Sequence, residues 1–518
     1  MQSSPVGQHN ATSFTLAVKF EMCESFHYYV VSVSRRGELS RQRFKHMRQQ
    51  FFLISLLAVT AIAVPAQTFT TLASFDGNGG AQPTSSPVQG LDGNLYGTTQ
   101  TGGSGAQGTV FRLTPDGILT SIFSFCAAHF CLNGSTPIAG LVLAPSGTFY
   151  GTAEIDNVFK INTEGNQSVL YNFCSQPNCT DGANPKAALI QGPAGNVFGT
   201  TANGGANGKG TVFRMAPSGT VTTIYSFCAQ TNCIDGSAPE GALVLGTDGN
   251  FYGTTSEGGA NGRGTIFKVN PQGTFTTLYN FCSRTHCADG SGPIPGLVQG
   301  ADGNFYGMTL NGGTGQACAT KTCGTFFKMT STGRLTTLYD FCSQTGCTDG
   351  LSPINVIQAT DGNFYGTTFL GGANGAGTFF RITTSGALIT LYNFCSEASC
   401  ADGASGHGLV QHTDGKLYGV TEDGGISNNG TVFSVDIGLP PFVAALPYVA
   451  RTGSAIRILG QGLTGTTAVS FNGAAATFSI QSDTYLTATV PVGATSGFVT
   501  VTASGNTLTS NHPFQLIP

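Results

Sequence analysis

Fourteen of the fifteen cysteines in this 518-residue chain stand in pairs five residues apart: Cys126/Cys131, Cys174/Cys179, Cys228/Cys233, Cys282/Cys287, Cys318/Cys323, Cys342/Cys347 and Cys395/Cys400. Thiols at a fixed local spacing can close disulfides or bind a soft metal. Zinc gathers four ligands at one point, whereas each of these pairs lacks a second pair or a regular histidine nearby. Disulfides are therefore the expectation, and they imply an oxidising compartment. Asp-Gly follows five of the pairs, at Asp181, Asp235, Asp289, Asp349 and Asp402, with Asp76 and Asn133 in the two remaining units. Oxygen groups repeated in this way could hold calcium. Asp-Gly is equally ordinary turn chemistry, the side chain bonding its own backbone. No resident metal or cofactor is expected.

Other candidate groups sit where a repeating pattern breaks. Glycine-rich stretches such as Gly204 to Gly210 enclose Lys209, and the next one carries Arg263. A phosphate-binding loop would need a GK[ST] ending and a following helix; here Gly210 follows Lys209 and a strand pattern comes next. In one unit Glu154-Ile155-Asp156-Asn157 replaces the glycine-rich stretch, and in another Cys318 to Cys323, with Lys321, extends it. A notch with two carboxylates beside a stapled lobe is a candidate ligand site, formed by Glu154, Asp156, Asn157, Lys209, Arg263 and Lys321. Glu154 and Asp156 could also be an acid and a base, but glycosidase carboxylates converge from opposite sides of a sugar, at about 5 to 9.5 Å. Two side chains on one short loop seldom do so. The histidines at 129, 286, 407, 412 and 512 have no nucleophile in recognisable context, and no catalytic residue is assigned.

The elements that must position these groups are repeats. Aromatic-Gly-Thr or a near variant recurs at Tyr96, Tyr150, Phe198, Tyr252, Tyr306, Tyr365 and Tyr418, one copy per supersecondary unit. Aligned on Tyr252, a unit holds four β-rich runs, A to D: Ala242 to Leu245, Asn250 to Thr255, Thr265 to Val269 and Phe275 to Phe281. Asp-Gly and Pro-x-Gly turns separate them, which predicts an antiparallel meander and an all-β fold. The series opens on a D-type run, Phe69 to Phe75, and closes on a C-type run, Gly430 to Ile437. Complementary ends predict a seven-bladed β-propeller closed by the N-terminal strand, because a solenoid would need polar caps. Blades are expected near 87–125, 138–173, 187–227, 241–281, 296–341, 354–394 and 408–437 with 69–75. Successive connections alternate between faces, so the cysteine and glycine-rich loops share one face and the tight turns the other. The loop face, longer and more varied, is the candidate binding face.

The two ends of the chain read differently. Phe51 to Val64 is an apolar run after Met47-Arg48 and before Pro65-Ala66-Gln67, the pattern of a secretory signal at 47–66 cut before Gln67. Residues 1–46 share no pattern with the rest; translation from Met47 is expected, with a signal anchor and cytoplasmic tail as the alternative. Loss of residues 1–66 would move the formal net charge from -4 to -8. That mildly acidic balance has no electrostatic footprint for nucleic acid. After the linker 438–441, residues 442–518 lose aromatic-Gly-Thr and show short strands with glycine punctuation, a second β-sandwich domain following the propeller of 67–437.

The core DGNFYGTTxxGGxxGxGTVF resembles the Gloeo/Verruco (GloVer) tandem repeat family of exported bacterial proteins over roughly 69–437. That resemblance implies export and repeat architecture but no reaction. Ile458, Gly460, Gly462 and Leu463, then Val469, Phe471, Asn472 and Gly473, then Val490 and Pro491, resemble the IPT/TIG pattern. The resemblance implies an immunoglobulin-like spacer or interaction module.

The expected function is a secreted or cell-surface, non-enzymatic binding or adhesion scaffold, a monomer with no membrane span in the mature chain, whose partner is an extracellular protein or glycan. The alternative is a carbohydrate-active propeller enzyme, a hydrolase or lyase. The absence of tryptophan weakens that alternative, since sugar-stacking platforms favour aromatic faces.

Overall fold

The computed structural model describes residues 67–127, 131, 133–192, 195–293, 296–315 and 323–517. The expected leader at 1–66, His129, Cys318 and Lys321 lie outside the described residues.

Each repeat folds as the meander its turns dictate. In the unit around Tyr252, strand A is Val244–Leu245, B is Phe251–Thr255, C is Thr265–Val269 and D is Phe275–Asn280, paired antiparallel in that order. The described residues form seven such four-stranded sheets, here numbered 1 to 7 along the chain. In sheet 7 the fourth strand is supplied by Thr68–Ser74, which pairs with Thr431–Asp436 from Thr68 opposite Asp436 to Ser74 opposite Thr431. Strand A has two residues in sheets 1 to 5. It has eight in sheet 6 (Leu351–Gln358) and sheet 7 (Ala404–Gln411).

The aromatic-Gly-Thr repeat is explained by three contacts. The Tyr252 hydroxyl donates to Oδ2 of Asp248 in the preceding turn at 2.8 Å, and the same bond joins Tyr96 to Asp92 and Tyr306 to Asp302. Gly253 lies opposite Phe267 of strand C, whose ring covers it so closely that a Cβ there would approach Cζ to 2.6 Å. The second threonine, Thr255, pairs its hydroxyl with that of Thr265 at 2.9 Å, both fully buried. Sheet 3 has Phe198 and Ala194 in place of the tyrosine and the aspartate, and sheet 2 keeps Tyr150 with Ser146; the aspartate also holds its own turn, since Asp248 accepts from Asn250 N and Nδ2.

The core lies between sheets. Strand B is buried on both faces: Phe251 packs with Phe198 of sheet 3, while Tyr252 packs with Phe305 of sheet 5. One apolar cluster joins each sheet to the next through sheet 7, and a further cluster joins Phe75, Tyr418 and Val432 of sheet 7 to Leu95, Phe111 and Leu113 of sheet 1. Sheets buried on both faces leave little surface for charge, which accounts for only 9% charged residues.

Beyond Gly438 two further four-stranded sheets pack around Ile458, Phe471, Leu486, Val501 and Phe514. The described residues from 67 to 517 fall in one compact unit, and this sandwich rests on the tight-turn face. Thr484 Oγ1 donates to Leu91 O at 2.6 Å, Gln461 Nε2 to Thr413 Oγ1 at 3.1 Å, and Phe442 N to Thr413 O at 3.1 Å. Leu459 joins the cluster of sheets 1 and 2, and Val449 with Tyr448 that of sheets 3 and 4.

Candidate functional site

The six cysteine pairs with both members described are disulfides: Cys126–Cys131, Cys174–Cys179, Cys228–Cys233, Cys282–Cys287, Cys342–Cys347 and Cys395–Cys400. Cys323 is also disulfide-bonded. Both cysteines of each of the six take a left-handed backbone, with φ between 47° and 59°, which a residue with a side chain adopts at a cost. The staple holds a tight turn whose second cysteine organises the face. Cys233 O accepts from Gly236 N and from Gly259 N at 2.9 Å, tying the cysteine loop to the glycine-rich loop of sheet 4; Cys179, Cys287, Cys347 and Cys400 do the same in their units.

Cys131 departs from the seven like staples that the sequence suggests. Its carbonyl accepts from Gly134 N at 2.9 Å, the counterpart of the Gly236 bond, but from no second glycine amide among the described residues. The reason is local: sheet 2, which follows it, has Glu154 to Asn157 where the other sheets have a glycine-rich loop. The turn itself is also closed differently, since Cys126 N donates to Asn133 Oδ1 at 3.0 Å, whereas Cys228 N donates to Gly236 O. The Cys126–Cys131 bridge therefore staples its own turn without fastening it to a neighbouring loop.

The aspartates after these cysteines turn inward. Asp235 is fully buried and takes the Tyr225 hydroxyl at 2.7 Å and the Ala229 and Gln230 amides; Asp181, Asp289, Asp349 and Asp402 have equivalent bonds. Burial pushes the carboxyls of Asp181, Asp289 and Asp402 up, but the hydrogen bonds outweigh it and hold them below the usual carboxylate value. Their oxygens are thus spent on the loop itself. Among the described residues no three His, Cys, Asp or Glu side chains converge on a point.

The departures from the repeat fare differently. Asn157 occupies the position of the buried threonine at the start of strand C and is only 2% exposed, so it cannot meet a ligand at the surface as the sequence suggested. Asp156 spends its Oδ1 on the Asn184 amide of the next sheet at 2.6 Å. Glu154 and Asp156 therefore do not face each other across a gap: one is turned to Lys186, the other to the backbone of sheet 3. Lys209 and Arg263 are exposed at equivalent places in the glycine-rich loops of sheets 3 and 4.

Sequence reasoning missed the groups that Glu154 meets. Strand B ends and strand A begins on the loop face, so the last residues of B and the first of A meet there. Lys186 Nζ lies 3.1 Å from Glu240 Oε1 and 3.8 Å from Glu154 Oε1, linking sheets 2, 3 and 4. His407 Nε2 lies 2.8 Å from Glu422 Oε2, and the Phe369 ring of sheet 6 meets the imidazole edge to face. Glu154 and Glu422 hold the same repeat position, four residues after Tyr150 and Tyr418. That coincidence was readable in the repeats, and so was the shared place of Lys186, Glu240 and His407, each five residues after Asp181, Asp235 and Asp402; what no spacing showed is that the two positions meet. Further in, Ser86 Oγ accepts from Leu409 N at 3.1 Å and Asn355 Nδ2 at 3.3 Å, joining the first strands of sheets 1, 6 and 7.

Fold and site together define an all-β repeat protein, stapled on its loop face and carrying a sandwich on its turn face. The chain belongs to the Gloeobacter/Verrucomicrobia repeat family, whose model matches residues 58–177, 157–320 and 285–466; an IPT/TIG domain matches 442–516. No protein with a curated description matches it. Similar solved structures include a fungal alcohol oxidase of the AA5 family in complex with copper, at 12% identity and TM-score 0.47, with 87% of this chain and 99% of that one covered. Another is PorZ, a surface component of the type-IX secretion system of Porphyromonas gingivalis, at 14% identity and TM-score 0.44, covering 86% and 61%. A third is oligogalacturonate lyase from Vibrio parahaemolyticus, at 9% identity and TM-score 0.42, covering 71% and 93%.

Proposed function

We propose that this chain is an exported, monomeric binding or adhesion scaffold. In this reading residues 67–437 form a seven-bladed β-propeller closed by the N-terminal strand, residues 438–441 link it to the sandwich at 442–518, and the loop face holds an extracellular protein or glycan without transforming it. Closure is supported by Thr68–Ser74 pairing in sheet 7 and by the apolar cluster between sheets 7 and 1. Export is supported by the disulfides, which persist in oxidising compartments, and by the apolar run Phe51 to Val64.

The observation that carries the reading is the sandwich on the turn face, which leaves the stapled loop face as the broad free surface. On that face Lys186 lies between Glu154 and Glu240, and His407 lies against Glu422, with Ile155, Lys209 and Arg263 exposed. Three carboxylates with Lys186, Lys209 and Arg263 favour a polar ligand that presents both donors and acceptors.

The test is a panel of polysaccharides and secreted proteins offered to the purified chain. Retention that weakens in Glu240→Gln with Glu422→Gln, without release of soluble product, is the expected result. Soluble oligosaccharides whose release disappears in Glu154→Gln or Glu422→Gln would replace the scaffold by a carbohydrate-active enzyme.

A further inference from the structure

The sandwich does not seal the turn face. Between it and sheets 4 to 6 runs a cleft made of two adjoining cavities of 320 and 370 Å³, which share His512 and Gln358 in their walls. The first has an aliphatic floor from strand A of three sheets, including Val244, Leu297, Val298 and Ile357, and a sandwich wall with Tyr448 and Pro513. The second continues past Phe498 and Asn511.

Two features single this cleft out. No Asp, Glu, Lys or Arg lines either cavity. And the polar side chains on the sandwich wall, the Tyr448 hydroxyl, the Asn511 and Gln515 amides and the His512 imidazole, bond to no other described residue, whereas Gln299 and Gln358 opposite them are engaged with the Thr247 and Ala301 amides. His512 is exposed at the surface, with its side chain in the walls of both cavities, and a neutral imidazole there offers one donor and one acceptor.

A wholly apolar molecule would cover those four polar groups without pairing them. An anion would find no counter-charge in either cavity, and the carboxylate of Asp248, in a third cavity that shares Thr247, Pro513 and Gln515 with the first, already accepts from Asn250 and the Tyr252 hydroxyl. What fits is a molecule with apolar faces and a hydroxyl edge, with no charge, long enough to pass from one cavity to the next at the lower end of ligand-pocket size. We propose that the cleft between the sandwich and sheets 4 to 6 binds a neutral oligosaccharide, whose hydroxyls bond to Tyr448, Asn511, His512 and Gln515. This site is on the opposite side of the sheets from the loop face, and it stands whether or not the loop face binds anything.

Calorimetric titration of the full chain with cello-, malto-, laminari- and mannohexaose tests it, with hexagalacturonate as the anionic probe and the uncharged dye N-phenyl-1-naphthylamine as the apolar one. At least one neutral hexasaccharide is expected to bind, hexagalacturonate is not, and His512→Ala with Gln515→Ala is expected to weaken the binding about tenfold or more. Should that variant fold poorly, the wild-type chain gives the same answer: bound hexasaccharide should slow acylation of His512 by diethyl pyrocarbonate. Binding that favours hexagalacturonate or the apolar dye, binding unchanged in the double variant, unprotected His512, or no heat with any neutral hexasaccharide overturns the proposal.

Discussion

Gln89 and Thr413 are 324 residues apart and bonded twice: Gln89 Nε2 donates to Thr413 Oγ1 at 2.8 Å, and Thr413 N donates to Gln89 Oε1 at 3.0 Å. Gln299, Gln358 and Gln411 accept in the same way from the turn amides of Thr247, Ala301 and Thr360 in the sheet before. The bond from sheet 1 to sheet 7 is thus one member of a series running in one direction through the sheets.

Gln89→Ala should cost about 1 to 3 kcal/mol, because the buried Thr413 amide loses its acceptor. Deleting Gln67 to Phe75 should cost far more, removing Phe75 from the cluster shared by sheets 7 and 1 and the Phe69 ring from Tyr392, 3.7 Å away. Denaturant melts of the three chains check both; equal midpoints for the deleted and full chains would mean that the first strand holds nothing together.

Each disulfide closes a short loop and should contribute about 2 kcal/mol on the chain-entropy model. Replacing Cys228 and Cys233 together by serine should lower stability by about that amount. It should also loosen the amides of Gly236 and Gly259, which both bond to Cys233 O, and hydrogen exchange at those two glycines reads that effect. The same change at Cys126 and Cys131 should loosen Gly134 alone, because Cys131 O holds no second glycine. Alkylation with and without reductant, followed by mass measurement, counts the bridges directly.

Stability should fall at both ends of the pH scale for linked reasons. The carboxyls of Asp181, Asp289 and Asp402 are held below their unfolded value, so their contribution is present above about pH 4 and is lost as pH falls through the folded values. In the same type of latch the Tyr339 and Tyr392 hydroxyls are pushed up to about 12, burial leading. That contribution is intact below about pH 10 and disappears as pH rises toward 12. A melting-temperature profile should therefore be flat between these limits and drop on either side.

Tyr252→Phe should cost about 1 kcal/mol by leaving Asp248 without its hydroxyl partner. Adding Asp248→Ala should cost less than the sum of the two single changes, since sheet 3 folds with Phe198 and Ala194 in these places. Gly253→Ala should cost more, about 1 to 3 kcal/mol, because its Cβ would press into the Phe267 ring. A double-mutant cycle on thermal unfolding separates these effects.

What could be read in the residues was whatever depends on neighbours in the chain. Asp-Gly-Asn and Pro-x-Gly turns, cysteines five apart and the β-rich runs between them all act within a dozen residues, so four antiparallel runs per unit and local disulfides follow from them. Spacing suggested the calcium candidates, but the tyrosine ten residues earlier that occupies each aspartate is equally local and went unread; Tyr225 bonding Asp235 shows what the pattern concealed. Asn157 was read as a loop residue and is instead a strand residue, because the short hairpin after Glu154 brings it opposite Ala153.

Only the tertiary structure decided the rest. Lys186 meets Glu154 and Glu240, and His407 meets Glu422, through strand ends that come together only in the folded sheets. The position of the sandwich, the cleft beside His512 and the bond from Gln89 to Thr413 depend on surfaces hundreds of residues apart. Local chemistry dictates a strand and its turn; which strands become neighbours is decided by burial of the apolar faces left over, a property of the whole assembled chain.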